Sequence, residues 1–488
     1  MNHFDLTILG SGPAGKRAAI QAAKLGKSVL IIDDRDRVGG VSVHTGTIPS
    51  KTLRETALNL SGWRERGFYG QSYRVKKDIQ GSDLNRRLNQ TLTLEVDALE
   101  HQLARNGVKI INGHGRFLDA HRLIVTRRVG DQTLEHMVTS HRTLIAVGTR
   151  PFHPDNVPFD DDAILDSDSI VGMERVPKSL TVVGAGVIGL EYATIFNALD
   201  VPVTLIEPRP TILDFMDHEI VENLVCQLRD RAMVVRLGCS VVRVERDGGG
   251  PVITYLSDGR IVRSEMLLYT AGRVGATANL DLELCGVETD HRGRITIDPK
   301  TFQTSHPDIY AAGDVIGFPS LASTSMEQGR LAACHAFGVS LPAQPAHFPF
   351  GIYAVPEISS VGLTEHEAVA AGLQFECGIA RLRETSRGHI MGLANGFMKL
   401  IFALNDQRLL GVHIIGEGAT ELIHIGQAVL NLGGTLDYFI ENSFNYPTLA
   451  EAYKIAALDA WNRMALHTVN VPMAEKPAQR LRRVTSAS

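Results

Sequence analysis

Two segments of the chain carry residues spaced to grip a pyrophosphate. Residues 5–33 read DLTILGSGPAGKRAAIQAAKLGKSVLIID, and residues 180–207 read LTVVGAGVIGLEYATIFNALDVPVTLIE. Each opens on a short β-branched run, passes through G-x-G-x-x-G, continues through an Ala-containing helical stretch, and ends a second apolar run on an acid. The first glycine, Gly10 or Gly184, permits a tight strand-to-helix turn. The second, Gly12 or Gly186, lets the backbone come close to a phosphate, and the third, Gly15 or Gly189, lets the helix lie against the strand. Pro13 and Ala14 complete the first loop, as Val187 and Ile188 do the second. Unpaired N–H groups at the positive helix end would hold the pyrophosphate. Asp33 and Glu207 each stand 23 residues after their first glycine. A carboxylate there accepts hydrogen bonds from ribose hydroxyls. With Asp34 beside the first acid, the chain is read as binding two dinucleotides, or one dinucleotide and a related nucleotide.

Other segments must position these loops. TLIAVGTRP (143–151) is an apolar strand with Gly148 near its end, and it would close the first nucleotide unit. MLLYTAGRVG (266–275), with Gly272, has the same form and would close the second. IYAAGDVIGFPSLASTSMEQGRLAA (309–333) reads as a strand, a Gly-Asp turn and a small-residue helix, which puts Asp314 and Ala322 within reach of a cofactor. From His347 onward, strands such as GFMKLIFAL (396–404) and LLGVHIIG (409–416) are followed by helices, which predicts a separate α+β domain. The closing segment, NVPMAEKPAQRLRRVTSAS, is polar and basic without apolar periodicity and is expected to be disordered.

Composition fits this organisation. The 488 residues correspond to about three domains. Forty-nine Lys and Arg against 54 Asp and Glu leave a net charge of −5, too weak and mixed for a nucleic-acid surface. No apolar run reaches the ~18–20 residues that span a bilayer, and MNHFDLTILGSG has no secretory-signal pattern. A cytoplasmic enzyme with no membrane partner is expected. The five cysteines, Cys226, Cys239, Cys285, Cys334 and Cys377, are scattered, as suits reduced core thiols. No CxxC or HExxH spacing supports a metal site.

Together with GTIPSK (46–51) and AAGD (311–314), these segments resemble the flavoprotein disulfide reductases, the class-I pyridine nucleotide-disulfide oxidoreductases, over roughly residues 4–468. The resemblance implies an α/β protein with two Rossmann-like domains. An FAD domain would comprise residues 1–152 and 280–345, an NAD(P) domain 153–279, a C-terminal α+β dimerisation domain 346–468, and a basic tail 469–488. It implies that Asp33 meets the FAD ribose, that Asp314 meets the ribityl–flavin side, and that main chain near Gly115 meets adenine. Gly39, Gly40, Val41 and Ser42 would line the same cofactor. Lys51 and Glu191 would form an ion pair beside the flavin, where a cation offsets the charge that hydride transfer brings.

The chain departs from the family where sulfur works. Disulfide reductases carry C-x4-C in the segment that here reads GGVSVHTGTIPSK, and the two positions are Ser42 and Thr47. A hydroxyl cannot replace a thiolate in disulfide exchange. The family's H-P-x-x-x-E reads YPTLAE, so Tyr446 replaces histidine while Glu451 stays. Phenol titrates near ~10 and shuttles protons poorly at neutral pH. Tyr446 would come from the partner subunit, and caps the flavin pocket or fills the space left by histidine. Dithiol chemistry by the family route is excluded, while the hydride half remains.

Thr47 and the segment FNYPTLAEAYKIAALDAWNR are similar to the family's soluble, flavin-containing transhydrogenase members, although those usually keep a cysteine at the Ser42 position. The implied activity is ping-pong hydride transfer between NADPH and NAD+ through FAD, in a homodimer or higher homo-oligomer. Glu207 suits the ribose of NAD(H), and Arg209 would offset its repulsion of a 2′-phosphate, so both nucleotides are expected to bind with a lean towards NAD(H). Two other readings stay open: an NAD(P)H dehydrogenase that reduces quinones or other small acceptors, and a non-catalytic FAD-binding redox sensor.

Overall fold

The computed structural model describes residues 2–130, 132–340 and 347–469. The basic tail beyond Val469 lies outside the described residues. The chain divides into two compact units, one of Met1–Asp214, Val225–Gln344 and Tyr353–Val355, the other of Phe215–Leu224, Pro345–Ile352 and Pro356–Ser488.

The first unit contains both glycine-rich repeats, each on its own sheet. In the first sheet, Lys109–Asn112, Val29–Asp33, Asn2–Leu9 and Gln132–Ile145 lie side by side in parallel, and Ile309–Ala311 pairs with the far side of the last. All five residues of Val29–Asp33 are buried, as a strand covered on both faces requires. The long strand Gln132–Ile145 serves three partners. Its first half pairs antiparallel with Arg122–Val129, and its second half pairs parallel with Asn2–Leu9. The Ala-rich face of helix Pro13–Lys24 meets helix Ala322–Ala336 so closely that a Cβ on Gly329 would stand 2.1 Å from the Ala14 carbonyl oxygen.

The second sheet runs Val234–Leu237, Val203–Glu207, Leu180–Val183, Met266–Tyr269 and Ile164–Asp166, all parallel. Val241–Glu245, Val252–Leu256 and Ile261–Ser264 form a separate antiparallel sheet of three strands.

The segments expected to close each repeat as single strands are both broken. TLIAVGTRP stops pairing at Ile145 and resumes as Thr149–Pro151, with Gly148 between at φ +68°. MLLYTAGRVG stops at Tyr269 and resumes as Arg273–Gly275 after Gly272 at φ +136°. Positive φ is accessible to glycine at little cost, and it turns both chains out of their sheets. The two short pieces then pair antiparallel with each other, tying the repeats together.

The second unit is one antiparallel sheet in the order Phe350–Ile352, Ile358–Gly362, Leu409–Ile415, Phe397–Ala403 and Phe375–Arg381. Helix Glu451–Val469 lies directly on it, and a Cβ on Gly378 would meet the Ala456 carbonyl oxygen at 1.8 Å. Phe215–Leu224, inside the expected nucleotide domain 153–279, groups with this unit. The physical reason is a buried charge. Lys399 lies in a strand whose seven residues are all buried, and its Nζ lies 3.0 Å from Asp217, 3.1 Å from Glu219 and 3.1 Å from Glu365. A buried ammonium needs such partners, and two of the three come from that segment.

Candidate active site

Most of the expected contacts of the first repeat line one cleft of about 400 Å³, a volume within the range of ligand pockets. Gly10, Gly12, Pro13, Ala14, Asp33, Asp34, Gly40, Val41, Ser42, Thr47, Gly115, Gly148, Asp314 and Ala322 all border it.

The glycines of the two repeats divide in the same way. A Cβ on Gly10 would lie 2.4 Å from the Ala146 carbonyl oxygen, and one on Gly15 2.0 Å from that of Gly10. In the second repeat, a Cβ on Gly184 would meet Thr270 backbone at 2.9 Å, and one on Gly189 the Gly184 carbonyl oxygen at 1.9 Å. Protein packing alone therefore forbids a side chain at the first and third positions. The middle glycines differ. Gly12 would meet only Gly40 Cα at 4.0 Å, and Gly186 would meet nothing within 4 Å. Nothing in the protein excludes a side chain there, whereas an apposed phosphate would.

The helices that follow are suited to an anion. Pro13–Lys24 and Val187–Ala198 each begin at a glycine without a side-chain cap and carry no acid in the first turn. Their first N–H groups and positive ends are left for a negatively charged group. The two closing acids hold the loops in matching fashion. Asp33 accepts the N–H of Ser11 at 2.7 Å and of Arg35 at 3.0 Å. Glu207 accepts those of Ala185 at 2.7 Å and Arg209 at 3.1 Å. Gly39 lies outside the cleft lining and donates its N–H to Ser11 Oγ at 2.9 Å. A dinucleotide fits each repeat by these features.

Glu207 also takes the Arg209 guanidinium, with Nε 2.9 Å from its Oε1. Burial pushes this carboxyl up, but the Arg209 side chain and the two N–H donors outweigh it, and its pKa falls below the ordinary glutamate value. Asp314 moves the other way, since burial raises it against the opposing pull of Arg273 and Ser325.

Lys51 and Glu191 meet although 140 residues separate them. Lys51 Nζ lies 2.8 Å from Oε1 and 2.7 Å from Oε2 of Glu191. The glutamate side chain is 4% exposed and the lysine 27%. Lys51 stands in the first turns of helix Thr47–Leu60 and Glu191 in helix Val187–Ala198, so the pair joins the two repeats. The two make a close ion pair in which the carboxylate is shielded and the ammonium reaches solvent.

Several residues at the cleft escaped the sequence reading. Arg273 donates to Thr149 Oγ1 at 2.9 Å, to the Thr149 carbonyl at 2.8 Å, and to Asp168 at 2.8 Å. Thr149 and Asp168 border the cleft. A charged residue just past Gly272, at the end of an apolar strand, was the available signal. His44 takes a structural position, with Nε2 3.0 Å from the Val38 carbonyl.

Tyr446 and Glu451 belong to the second unit. The Tyr446 hydroxyl lies 2.5 Å from Ser386 Oγ and the residue is 70% exposed. Glu451 opens helix Glu451–Val469, and its Oε2 is buried without a hydrogen-bond partner. Cys226 is exposed while Cys239, Cys285, Cys334 and Cys377 are buried, and none borders the cleft.

The chain is similar to known proteins over nearly its whole length. The pyridine nucleotide-disulphide oxidoreductase model matches residues 4–329, and the model of that family's dimerisation domain matches residues 348–457. A soluble pyridine nucleotide transhydrogenase of Mycobacterium bovis is 49% identical over 95% of this chain and 98% of its own. Those of a Marinomonas species and of Shigella boydii are 40% and 38% identical over 95% and 94% of this chain, and over 99% and 98% of their own. Among solved structures, LpdA of Mycobacterium tuberculosis superposes with a TM-score of 0.84 at 27% identity, covering 94% of this chain and 99% of its own. The flavoprotein disulfide reductase RclA of Escherichia coli has a TM-score of 0.83 at 25% identity, with the same coverage. The chain belongs to the pyridine nucleotide-disulphide oxidoreductase family.

Proposed function

We propose that this protein is a transhydrogenase that moves hydride between NADPH and NAD+ by way of FAD. The observation that carries the reading is the combination of two complete dinucleotide loops, an intact Lys51–Glu191 pair, and Ser42 and Thr47 bordering the cleft where disulfide reductases carry cysteines. The relatives named as transhydrogenases support it.

In this reading FAD occupies the cleft of the first repeat. The pyrophosphate rests on the N–H groups that begin helix Pro13–Lys24, Asp33 and Asp34 face a ribose, and Gly115 and Gly148 leave room for the adenine and flavin ends. Asp314, with Ala322 behind it, faces the ribityl chain. Flavin supplies the capacity to take hydride from one nicotinamide and return it to another. The second repeat binds NADP(H) and NAD(H) in turn through Gly184, Gly186, Val187, Ile188 and Gly189, with Glu207 and Arg209 at the ribose that carries the 2′ group and Gly272 lining the far side. Lys51 holds a positive charge where negative charge develops, and Glu191 keeps it there. Neither step needs a nucleophile or a proton shuttle, which agrees with serine, threonine and tyrosine at the positions of the two cysteines and the histidine.

The proposed domains are FAD on 1–152 and 280–345 and NAD(P) on 153–279, the last with its segment Phe215–Leu224 grouped in the second unit. The family's dimerisation-domain match supports a homodimer in which Tyr446 and Glu451 act beside the partner's flavin. Among the described residues no helix is long and apolar enough to cross a membrane, and a cytoplasmic enzyme is proposed. The test is initial-rate kinetics with NADPH and NAD+ both varied. Parallel double-reciprocal lines are expected, and intersecting lines would exclude a single shared nicotinamide pocket.

A further inference from the structure

Lys51 is not the only group that holds Glu191. Glu191 Oε1 also accepts the Tyr353 N–H at 3.0 Å, and Oε2 accepts the Ser50 hydroxyl at 3.2 Å. The same Tyr353 lays its ring against the ammonium, with Lys51 Nζ 4.8 Å from the ring centroid. One residue thus touches both members of the pair, the acid through its backbone and the base through its aromatic face.

The backbone around Tyr353 is fixed by the first unit. Tyr353–Val355 belongs to that unit, whereas the residues on either side of it in sequence belong to the other. The Arg54 Nε donates to the Ala354 carbonyl at 3.0 Å, and Thr194 Oγ1 accepts the Val355 N–H at 3.0 Å. The Arg231 guanidinium donates to the Val355 carbonyl. Ala354 and Val355 are buried. The ring of Tyr353 therefore stands on an anchored strip of main chain.

That anchoring matters because of what lysine is. Its ammonium is a compact, strongly hydrated charge on a flexible four-carbon stem, and here it keeps access to water. Glu191 and Ser50 fix its hydrogen bonds, with Ser50 Oγ 3.2 Å from Nζ. They do not by themselves keep it from swinging towards solvent while holding one oxygen. A ring face against the ammonium attracts it and so opposes that movement.

We propose that Tyr353 is a positioning residue for hydride transfer, its ring and N–H together holding the Lys51–Glu191 pair in the single geometry the reaction uses. This rests on the reading of that pair as the charge beside the flavin. The residue acts through Lys51 and needs no contact with either nucleotide. The phenol oxygen is not required, so phenylalanine should serve as well.

The test compares Tyr353→Leu, which keeps the N–H and removes the ring face, with Tyr353→Phe, which keeps both. Tyr353→Met is the substitute for leucine should that variant fail to fold. Two readouts are taken on the purified flavoprotein. The first is anaerobic stopped-flow bleaching by NADPH, where Tyr353→Leu should lower the limiting rate constant about five- to tenfold with the half-saturating NADPH concentration unchanged. The second is competitive acetylation of Lys51 followed by peptide mass spectrometry, which reads the freedom of the ammonium without turnover. Reactivity of Lys51 should rise about threefold or more in Tyr353→Leu and stay at the parent value in Tyr353→Phe. Unchanged Lys51 reactivity in Tyr353→Leu, or a phenylalanine variant as slow as the leucine one, would overturn the proposal. If the parent protein itself is not bleached by NADPH, the transhydrogenase reading fails, while the acetylation readout still decides the role of Tyr353.

Discussion

Arg209 Nε lies 2.9 Å from Glu207 Oε1, so the acid that closes the second nucleotide repeat is already met by a cation two residues away. The arginine is 45% exposed and reaches Asp214 as well, whereas the Glu207 side chain is 4% exposed. Glu207 is therefore no bare negative wall against a 2′-phosphate. It is a buried acceptor for two loop N–H groups that also pairs with a half-exposed guanidinium.

Nucleotide preference should follow from that arrangement. Arg209→Ala removes the charge that answers a 2′-phosphate, and NADPH binding should weaken about tenfold while NADH changes little. Glu207→Gln keeps an acceptor for the loop while freeing Arg209, and should tighten NADPH relative to NADH. Titration of each nucleotide by quenching of protein or flavin fluorescence measures both. Equal changes for the two nucleotides would show that Arg209 points away from the 2′ position.

Lys51→Met removes the positive charge and leaves the Glu191 carboxylate with only Ser50 and the Tyr353 N–H. Flavin bleaching by NADPH should slow by about a hundredfold, the scale on which one preorganised charge partner acts. The thermal midpoint should also fall, since an unmatched buried carboxylate is destabilising. Stopped-flow absorbance and a thermal scan on the same preparation report the two effects. Lys51→Arg should retain a large part of both.

The second unit carries a pH dependence of its own. His413 is buried, with Nε2 3.0 Å from the Leu363 carbonyl and Nδ1 2.9 Å from Ser360 Oγ. A neutral ring with its proton on Nε2 satisfies both contacts. Burial pushes its pKa below the ordinary histidine value, with Asp217 and Glu367 opposing and Lys399 assisting. A lowered histidine pKa gives stability that is complete above the unfolded value of about 6.5 and is lost as pH falls towards the folded value. Between about pH 6.5 and that folded value the loss should approach about 1.4 kcal/mol per pH unit. Urea unfolding of His413→Gln, compared with the parent at about pH 7.5 and about pH 5.5, should show a flatter profile. Identical profiles would assign the acid sensitivity to other groups.

The sequence made the dinucleotide loops legible because their geometry is local. Gly10 and Gly15, or Gly184 and Gly189, are dictated by backbone contacts within a few residues or to the neighbouring strand, and such contacts leave a fixed spacing. The Lys51–Glu191 pair was legible only through resemblance, since nothing in a spacing of 140 residues foretells a contact of 2.7 Å. Other features left no periodic trace. Gly148 and Gly272 look like ordinary strand-end glycines, yet their positive φ values break both closing strands and create the ribbon that seats Arg273 against Thr149. Lys399 sits in a run of apolar residues, and its carboxylate partners are distant in sequence, so nothing in the sequence announces that Phe215–Leu224 groups with the second unit. Tyr353 was invisible for the same reason, because its importance lies in a backbone N–H and a ring face that a sequence does not orient.

In the proposed reaction hydride enters and leaves through nicotinamides alone, with no sulfur taking part. The most direct measurement is anaerobic absorbance of the purified flavoprotein during addition of NADPH and then of NAD+. Loss of the oxidised flavin bands with NADPH, their full return with NAD+, and no change in the titre of free thiols are expected. Bleaching that NAD+ fails to reverse, or that appears together with two new thiols, would contradict it.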